Sequence, residues 1–176
     1  MADKLCEVVR ANNHFLDFGL LGSKSVPAML TRYGYVEDAM KMITKAEAPS
    51  WGYWVETMGY TTLPETWTLS PQFRDASLNH VFMGDVSAWM MNQLAGINYD
   101  AAGPGFRHIL ITPHFVEGMD WAKGEYHSVR GLISSQWKRE GGKVTLTVTI
   151  PSGCTADIRV GDKTETVGSG TYVNTY

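Results

Sequence analysis

A chain of 176 residues, 44% hydrophobic and 19% charged, has the composition of one globular domain or two small ones, which excludes a disordered chain. Its net charge of −3 gives no reason to expect nucleic acid or an anionic membrane as a partner. No apolar run approaches the roughly 18 residues that span a bilayer, and Met1–Cys6 holds no apolar signal core, so the compartment stays open.

Residues 1–10 read as the end of a helix, with Leu5, Val8 and Val9 on one side, broken by Asn12-Asn13. His14–Gly22 is apolar and glycine-bearing, as in a tight connection between packed helices. Ser23 is placed to cap a helix running to about Tyr33, with Val26, Met29 and Leu30 buried and Pro27 tolerated in the first turn. Gly34 stops it. A second helix from about Val36 to Ala46 carries Val36, Ala39, Met40 and Ile43 at i, i+3, i+4 and i+7, which completes an αα-hairpin.

From Ala48 to Arg74 the period disappears. Pro49, Gly52, Gly59, Pro64 and Pro71 punctuate a long loop, and loops of this length in compact domains are usually functional. Within it, Gly59–Trp67 sets one carboxylate, Glu65, among aromatics and hydroxyls, a setting suited to sugar chemistry. Asp75 or Ser77 then caps a third helix, with Leu78, Val81, Phe82, Val86, Trp89, Met90 and Leu94 on one broad face until Gly96.

After Gly103-Pro104-Gly105 the period becomes two. Ile109 and Ile111 mark one strand, and Ile133, Ser135 and Trp137 alternate with polar neighbours in another. Glu140-Gly141-Gly142 turns into Val144, Leu146, Val148 and Ile150, and Gly161-Asp162 turns a second hairpin between 156–160 and 164–167. Six or seven strands of this kind predict an antiparallel sandwich. The chain is therefore α+β in two parts, with a boundary near residue 105 that separates residues 1–104 from 105–176.

Each residue type has a plainer reading. A loop glutamate is ordinarily solvated, a lone histidine such as His80 ordinarily caps a helix or sits in a core, and tryptophans more often fill cores than stack on sugars. His108 and His114 lack nearby acidic or thiol ligands, and Glu117, Asp120 and Glu125 lack the spacing of a calcium loop, so no metal is expected. No nucleophile elbow, Walker loop or dinucleotide fingerprint occurs, so no cofactor is expected either. Cys6 and Cys154 read as two free thiols.

Several spaced motifs lift the loop residues above these plain readings. Pro49–Tyr53 (Pro-Ser-Trp-Gly-Tyr), Gly59–Trp67 (Gly-Tyr-Thr-Thr-Leu-Pro-Glu-Thr-Trp), Ser77–His80 (Ser-Leu-Asn-His) and Gly105–His108 (Gly-Phe-Arg-His) stand in one order. Trp121–Tyr126, Gly131, Trp137 and Gly168–Tyr172 follow. Together they resemble the C-terminal end of the bacterial α-L-rhamnosidases, inverting glycoside hydrolases with an α/α-toroid catalytic domain and a β-sandwich behind it. The chain departs from many relatives at Pro64, where they carry Trp.

The resemblance implies a partial toroid of about four helices followed by the C-terminal sandwich. It assigns Glu65 as the catalytic general base, and His80, Asn79, Trp67 and Trp51 as sugar-pocket residues, with Trp54 a further aromatic of the same loop. It also implies that the general acid and the main acidic sugar-binding residues stand upstream of this chain. A rhamnose-containing glycan would be the partner, and the helical part would need the upstream toroid or self-associate through its bare apolar face. Two other readings stand beside this one. The chain is a non-catalytic carbohydrate-binding or interaction module, or it is a degraded reading frame that folds only in part.

Overall fold

The computed structural model describes residues 1–67 and 75–176. Pro71 and Arg74, at the end of the expected loop, lie outside the described residues. The chain divides into two compact units, Met1–Trp89 and Met90–Tyr176. Helices fill the first and sheets the second, the two-part order that the change of period predicts. Among the described residues no helix is long and apolar enough to cross a membrane.

In the first unit, α1 (Ala2–Ala11) buries Cys6 and Val9, while Val8 faces out at 55% exposure. Asp3 in its first turn and Arg10 in its last complement the helix dipole. Asn13 and His14 both take positive φ, 51° and 59°, which ends the helix at the predicted asparagines. The reversal brings α1 alongside α3 (Val36–Thr44), where Asp38 is buried. Both Asp38 oxygens accept from Arg10, at 2.8 Å each, and Oδ1 also lies 2.9 Å from His14 Nε2. The Arg10 guanidinium beside it holds the Asp38 carboxyl far below the usual carboxylate range. A buried carboxylate is tolerated here because it is paired on two sides.

Between them, α2 (Leu20–Arg32) starts earlier than Ser23 suggests. Gly19 is the N-cap, and the Ser23 side chain sits inside the helix, its hydroxyl donating to the Leu20 carbonyl at 2.6 Å. The earlier start places Pro27 in the helix interior, where it removes one backbone donor. The reason is local: the Phe18 ring folds back over Gly22, where a Cβ would stand 2.5 Å from that ring. Gly34 ends α2 with φ of +88°.

The third expected helix is also corrected. Residues 77–80 form turns and extended backbone, and His80 is the N-cap of a 3₁₀ turn, Val81–Gly84, ahead of the short α4 (Asp85–Trp89). Leu78, Val81 and Phe82 are exposed, and the buried side chains are Met83, Val86 and Trp89. Pairing with the preceding loop outcompetes helix here. His80 N–H donates to the Leu63 carbonyl and Glu65 N–H to the Ser77 carbonyl, both at 2.8 Å.

The second unit opens with a π-helical turn, Met90–Leu94, and holds two four-stranded sheets. One has the order β1 (Ile97–Tyr99), β2 (His108–Ile111), β6 (Thr155–Val160), β7 (Lys163–Val167), and the other β3 (Trp121–Ser128), β4 (Gly131–Glu140), β5 (Lys143–Ile150), β8 (Gly170–Thr175). Because β1 already pairs with β2, this unit begins ahead of Gly103–Gly105. Every pairing is antiparallel except β2 with β6, which is parallel. Ile109, Ile111, Ile133, Trp137, Leu146, Val148 and Ile158 form the core at 2% exposure or less. The Trp137 indole N–H is satisfied by the Leu94 carbonyl at 2.8 Å. Cys154 is buried here and Cys6 in the first unit, both as free thiols.

Candidate active site

The first unit contains a cleft of about 440 Å³ whose walls include Asp17, Phe18, Pro49, Glu65, Trp67 and Met83. Four stretches far apart in sequence line it, residues 16–20, 49, 65–67 and 83, and hydrogen bonds to backbone groups tie them together.

Pro49 lines the cleft, and Ser50-Trp51-Gly52, which follows it in the chain, is buried behind the lining. Ser50 is fully buried, its hydroxyl donating to the Ile43 carbonyl at 3.2 Å and accepting from Gly52 N–H at 3.0 Å. A Cβ at Gly52 would stand 2.6 Å from the Thr44 carbonyl carbon and oxygen, so this close approach requires glycine. Trp51 and Trp54 are consequently driven inward, at 3% and 1% exposure. Trp51 donates its indole N–H to the Met83 carbonyl at 3.0 Å, and Trp54 donates to the Trp67 carbonyl at 3.3 Å.

Trp67 completes the aromatic cluster and reaches the cleft. Its ring stacks on Trp54 with centroids 4.6 Å apart and meets Trp51 edge-on at 5.0 Å. Its indole N–H donates to the Phe18 carbonyl at 2.6 Å. Glu65 is half-buried and held from two directions by Ser77. Its backbone N–H donates to the Ser77 carbonyl at 2.8 Å, and its Oε2 accepts from Ser77 N–H at 3.0 Å. One carboxylate oxygen is thus oriented by a backbone donor, which presents the side chain in one pose.

The residues expected in the pocket therefore separate. Glu65 and Trp67 share the cleft, and Trp51 stands behind Trp67 as a buried support. His80 and Asn79 are not among the residues that line it. His80 is half-buried at its 3₁₀ turn, its Nδ1 accepting from Phe82 N–H at 3.4 Å and its ring edge-on to Phe82 at 5.3 Å. Asn79 is exposed, and its backbone N–H donates to Ser77 Oγ at 3.2 Å. Pro64 is buried beside Glu65. Among the described residues no three or more His, Cys, Asp or Glu are grouped to hold a metal.

Sequence reasoning missed Asp17, Phe18 and Met83 as cleft residues. The signal for the first two lay in the apolar, glycine-bearing connection at His14–Gly22, which marks a tight passage without saying what it faces. Met83 fell outside the apolar helix face expected around it.

The helical unit that holds this cleft and the sheet unit that follows it in sequence each match a domain of a glycosidase family. Residues 1–94 match the bacterial alpha-L-rhamnosidase 6 hairpin glycosidase domain, and residues 96–173 the bacterial alpha-L-rhamnosidase C-terminal domain. The chain belongs to the bacterial α-L-rhamnosidase family. It is 31% identical over 163 residues to an alpha-L-rhamnosidase of Streptomyces avermitilis, which covers 89% of this chain and 16% of that protein. The solved structure of a Streptomyces avermitilis alpha-L-rhamnosidase complexed with L-rhamnose superposes with a TM-score of 0.89 at 27% identity, over 99% of this chain and 19% of that one. The native enzyme of Aspergillus terreus gives 0.91 at 26% identity, over 99% and 21%. The chain thus spans about a sixth of the length of the curated relatives it matches.

Proposed function

We propose that this chain supplies the water-activating wall of an α-L-rhamnosidase site, with Glu65 as the general base of an inverting hydrolysis. The observation that carries this reading is the pose of Glu65: it lines a cleft beside Trp67 and is held by both polar backbone groups of Ser77. Inversion needs one carboxylate to take a proton from water and a second carboxylic acid to protonate the leaving oxygen, roughly 6.5–9.5 Å apart. With Oε2 anchored on Ser77, Oε1 is the oxygen assigned to the water proton. Trp67 offers an aromatic face to the apolar side of the sugar, and the buried Trp51 and Trp54 keep that face in place. Asn79 and His80 stand outside the lining, and Asn79 N–H, which donates to Ser77 Oγ, steadies the turn that anchors Glu65. The general acid comes from a segment outside this chain.

General acid catalysis is typically worth about 10²–10⁴ in rate. The purified chain is therefore expected to release no aryl rhamnoside product above background, and release that disappears in Glu65→Gln would refute the assignment of the acid elsewhere. The binding half is tested by calorimetry with L-rhamnose on the chain, Glu65→Gln and Trp67→Ala. Weakened binding in both variants supports the reading, and unchanged binding in both rejects it.

The same unit exposes Leu21 and Val81, each at 79%, and Phe82 at 49%. We assign this apolar surface to contact with further toroid helices or with a second copy. Sedimentation of the chain should show self-association that Val81→Lys reduces. A second reading, of a glycan-binding sheet unit, has one observation in its favour: Trp121 lies 62% exposed on β3.

A further inference from the structure

Between two fixed points of the backbone, the cleft contains a carboxylate that the proposed reaction does not use. Leu16 is fully buried, and its N–H donates to the Pro49 carbonyl at 3.1 Å. Phe18 is held at both ends, by its ring over Gly22 and by its carbonyl on the Trp67 indole N–H at 2.6 Å. Asp17 stands between them, exposed, and lines the same cleft as Glu65 and Trp67. Among the described residues its carboxylate has no hydrogen bond and no ion pair, while the anchors on either side fix where it starts from.

An ionised carboxylate only accepts hydrogen bonds, and its two oxygens match the spacing of neighbouring hydroxyls on one face of a pyranose. Hydrogen bonds to an ionised acceptor are roughly twice as strong as neutral ones. Trp67, whose N–H pins Phe18, supplies the stacking surface beside it, so the hydroxyl acceptor and the aromatic face are mechanically linked. We propose that Asp17 is a specificity-determining residue that accepts hydrogen bonds from a pair of adjacent hydroxyls on the sugar held against Trp67. This inference rests on the reading of the cleft as a rhamnose site.

The plain alternative is that Asp17, two residues ahead of the α2 N-cap, only interacts with the helix dipole. That role would move thermal stability and leave sugar discrimination untouched. The test is calorimetry of the whole chain, Asp17→Asn and Asp17→Glu, with L-rhamnose and its monodeoxy analogues, on samples with native near-ultraviolet dichroism. Asp17→Asn is expected to weaken L-rhamnose binding by about tenfold, in the range of one charged hydrogen bond. At least one monodeoxy analogue should bind the unmodified chain weakly and lose that penalty in Asp17→Asn, with Asp17→Glu partly restoring it. L-rhamnose binding that Trp67→Ala weakens, with every deoxy penalty intact in Asp17→Asn, overturns the role of Asp17 and leaves the site standing. Absence of L-rhamnose binding by the folded chain overturns both.

Discussion

The sheet unit and the helical unit place their important residues by different rules. In β4, Ile133, Ser135 and Trp137 are buried because alternate residues of a strand face one side, and the same rule buries Val144, Leu146, Val148 and Ile150 in β5. In the helical unit the cleft gathers residues 16–20, 49, 65–67 and 83, which share no period. They meet because backbone carbonyls of Phe18, Met83 and Trp67 each accept an indole N–H. Periodicity therefore finds a core, while a site made of loops is found through its hydrogen bonds.

The largest test of this contrast is Trp137→Ala. A fully buried indole with a satisfied N–H should cost about 3–5 kcal/mol when truncated, read as an earlier urea transition in the β-sheet dichroism. A loss below about 1 kcal/mol would mean that the sheet core is not organised around the strand period.

In the helical unit the corresponding anchor is ionic. Asp38→Asn should lower stability by about 1.5–3 kcal/mol, the range for hydrogen bonds to charged groups. The pH dependence has a definite sign. The folded carboxyl titrates below its unfolded value near 4, so between the two the unfolded chain binds more protons and stability rises with pH. The contribution is complete above the unfolded value and is lost as pH falls toward the folded one. The urea midpoint should fall with acid below about pH 5 more steeply in the unmodified chain than in Asp38→Asn; equal slopes would remove Asp38 from the account.

Gly52→Ala probes the buried support behind the cleft at a smaller scale. Its methyl would press on the Thr44 backbone, which cannot yield as a side-chain tip does, and overpacking of this kind costs about 1–3 kcal/mol. Near-ultraviolet dichroism of the Trp51–Trp54–Trp67 cluster should change with it. An unchanged spectrum would separate the aromatic cluster from the Ser50–Gly52 turn.

Sequence reading was strongest where local pattern and final burial share a cause. The hairpin at Gly141-Gly142 follows from two residues with positive φ, 55° and 77°. Strand β3 was legible only through the spaced motif at Trp121–Tyr126, because its inward positions, Ala122 and Gly124, are small and leave no hydrophobic alternation. The parallel β2–β6 pairing has no local signature, since a strand's side-chain alternation is the same whichever way its neighbour runs. Glu65 and Trp67 were legible through spaced motifs. The inward turn of Trp51 was not, because it depends on how closely Gly52 approaches Thr44. The late start of the third helix was hidden for a similar reason, in the long-range bonds of residues 63–65 to 77–80.

The smallest expected effect discriminates most between the two units. Trp121 is 62% exposed on β3, and its strand partner in register, Lys138, pairs with Glu140. Truncating an exposed side chain away from the core usually changes stability by no more than about 0.5 kcal/mol, so Trp121→Ala should unfold at nearly the same urea concentration as the unmodified chain. Its value lies in the fluorescence response to L-rhamnose. If the sugar sits against Trp67, that response survives Trp121→Ala and vanishes in Trp67→Ala. If it vanishes in Trp121→Ala instead, the glycan is held by the sheet unit, and the cleft around Glu65 has to be read without a sugar in it.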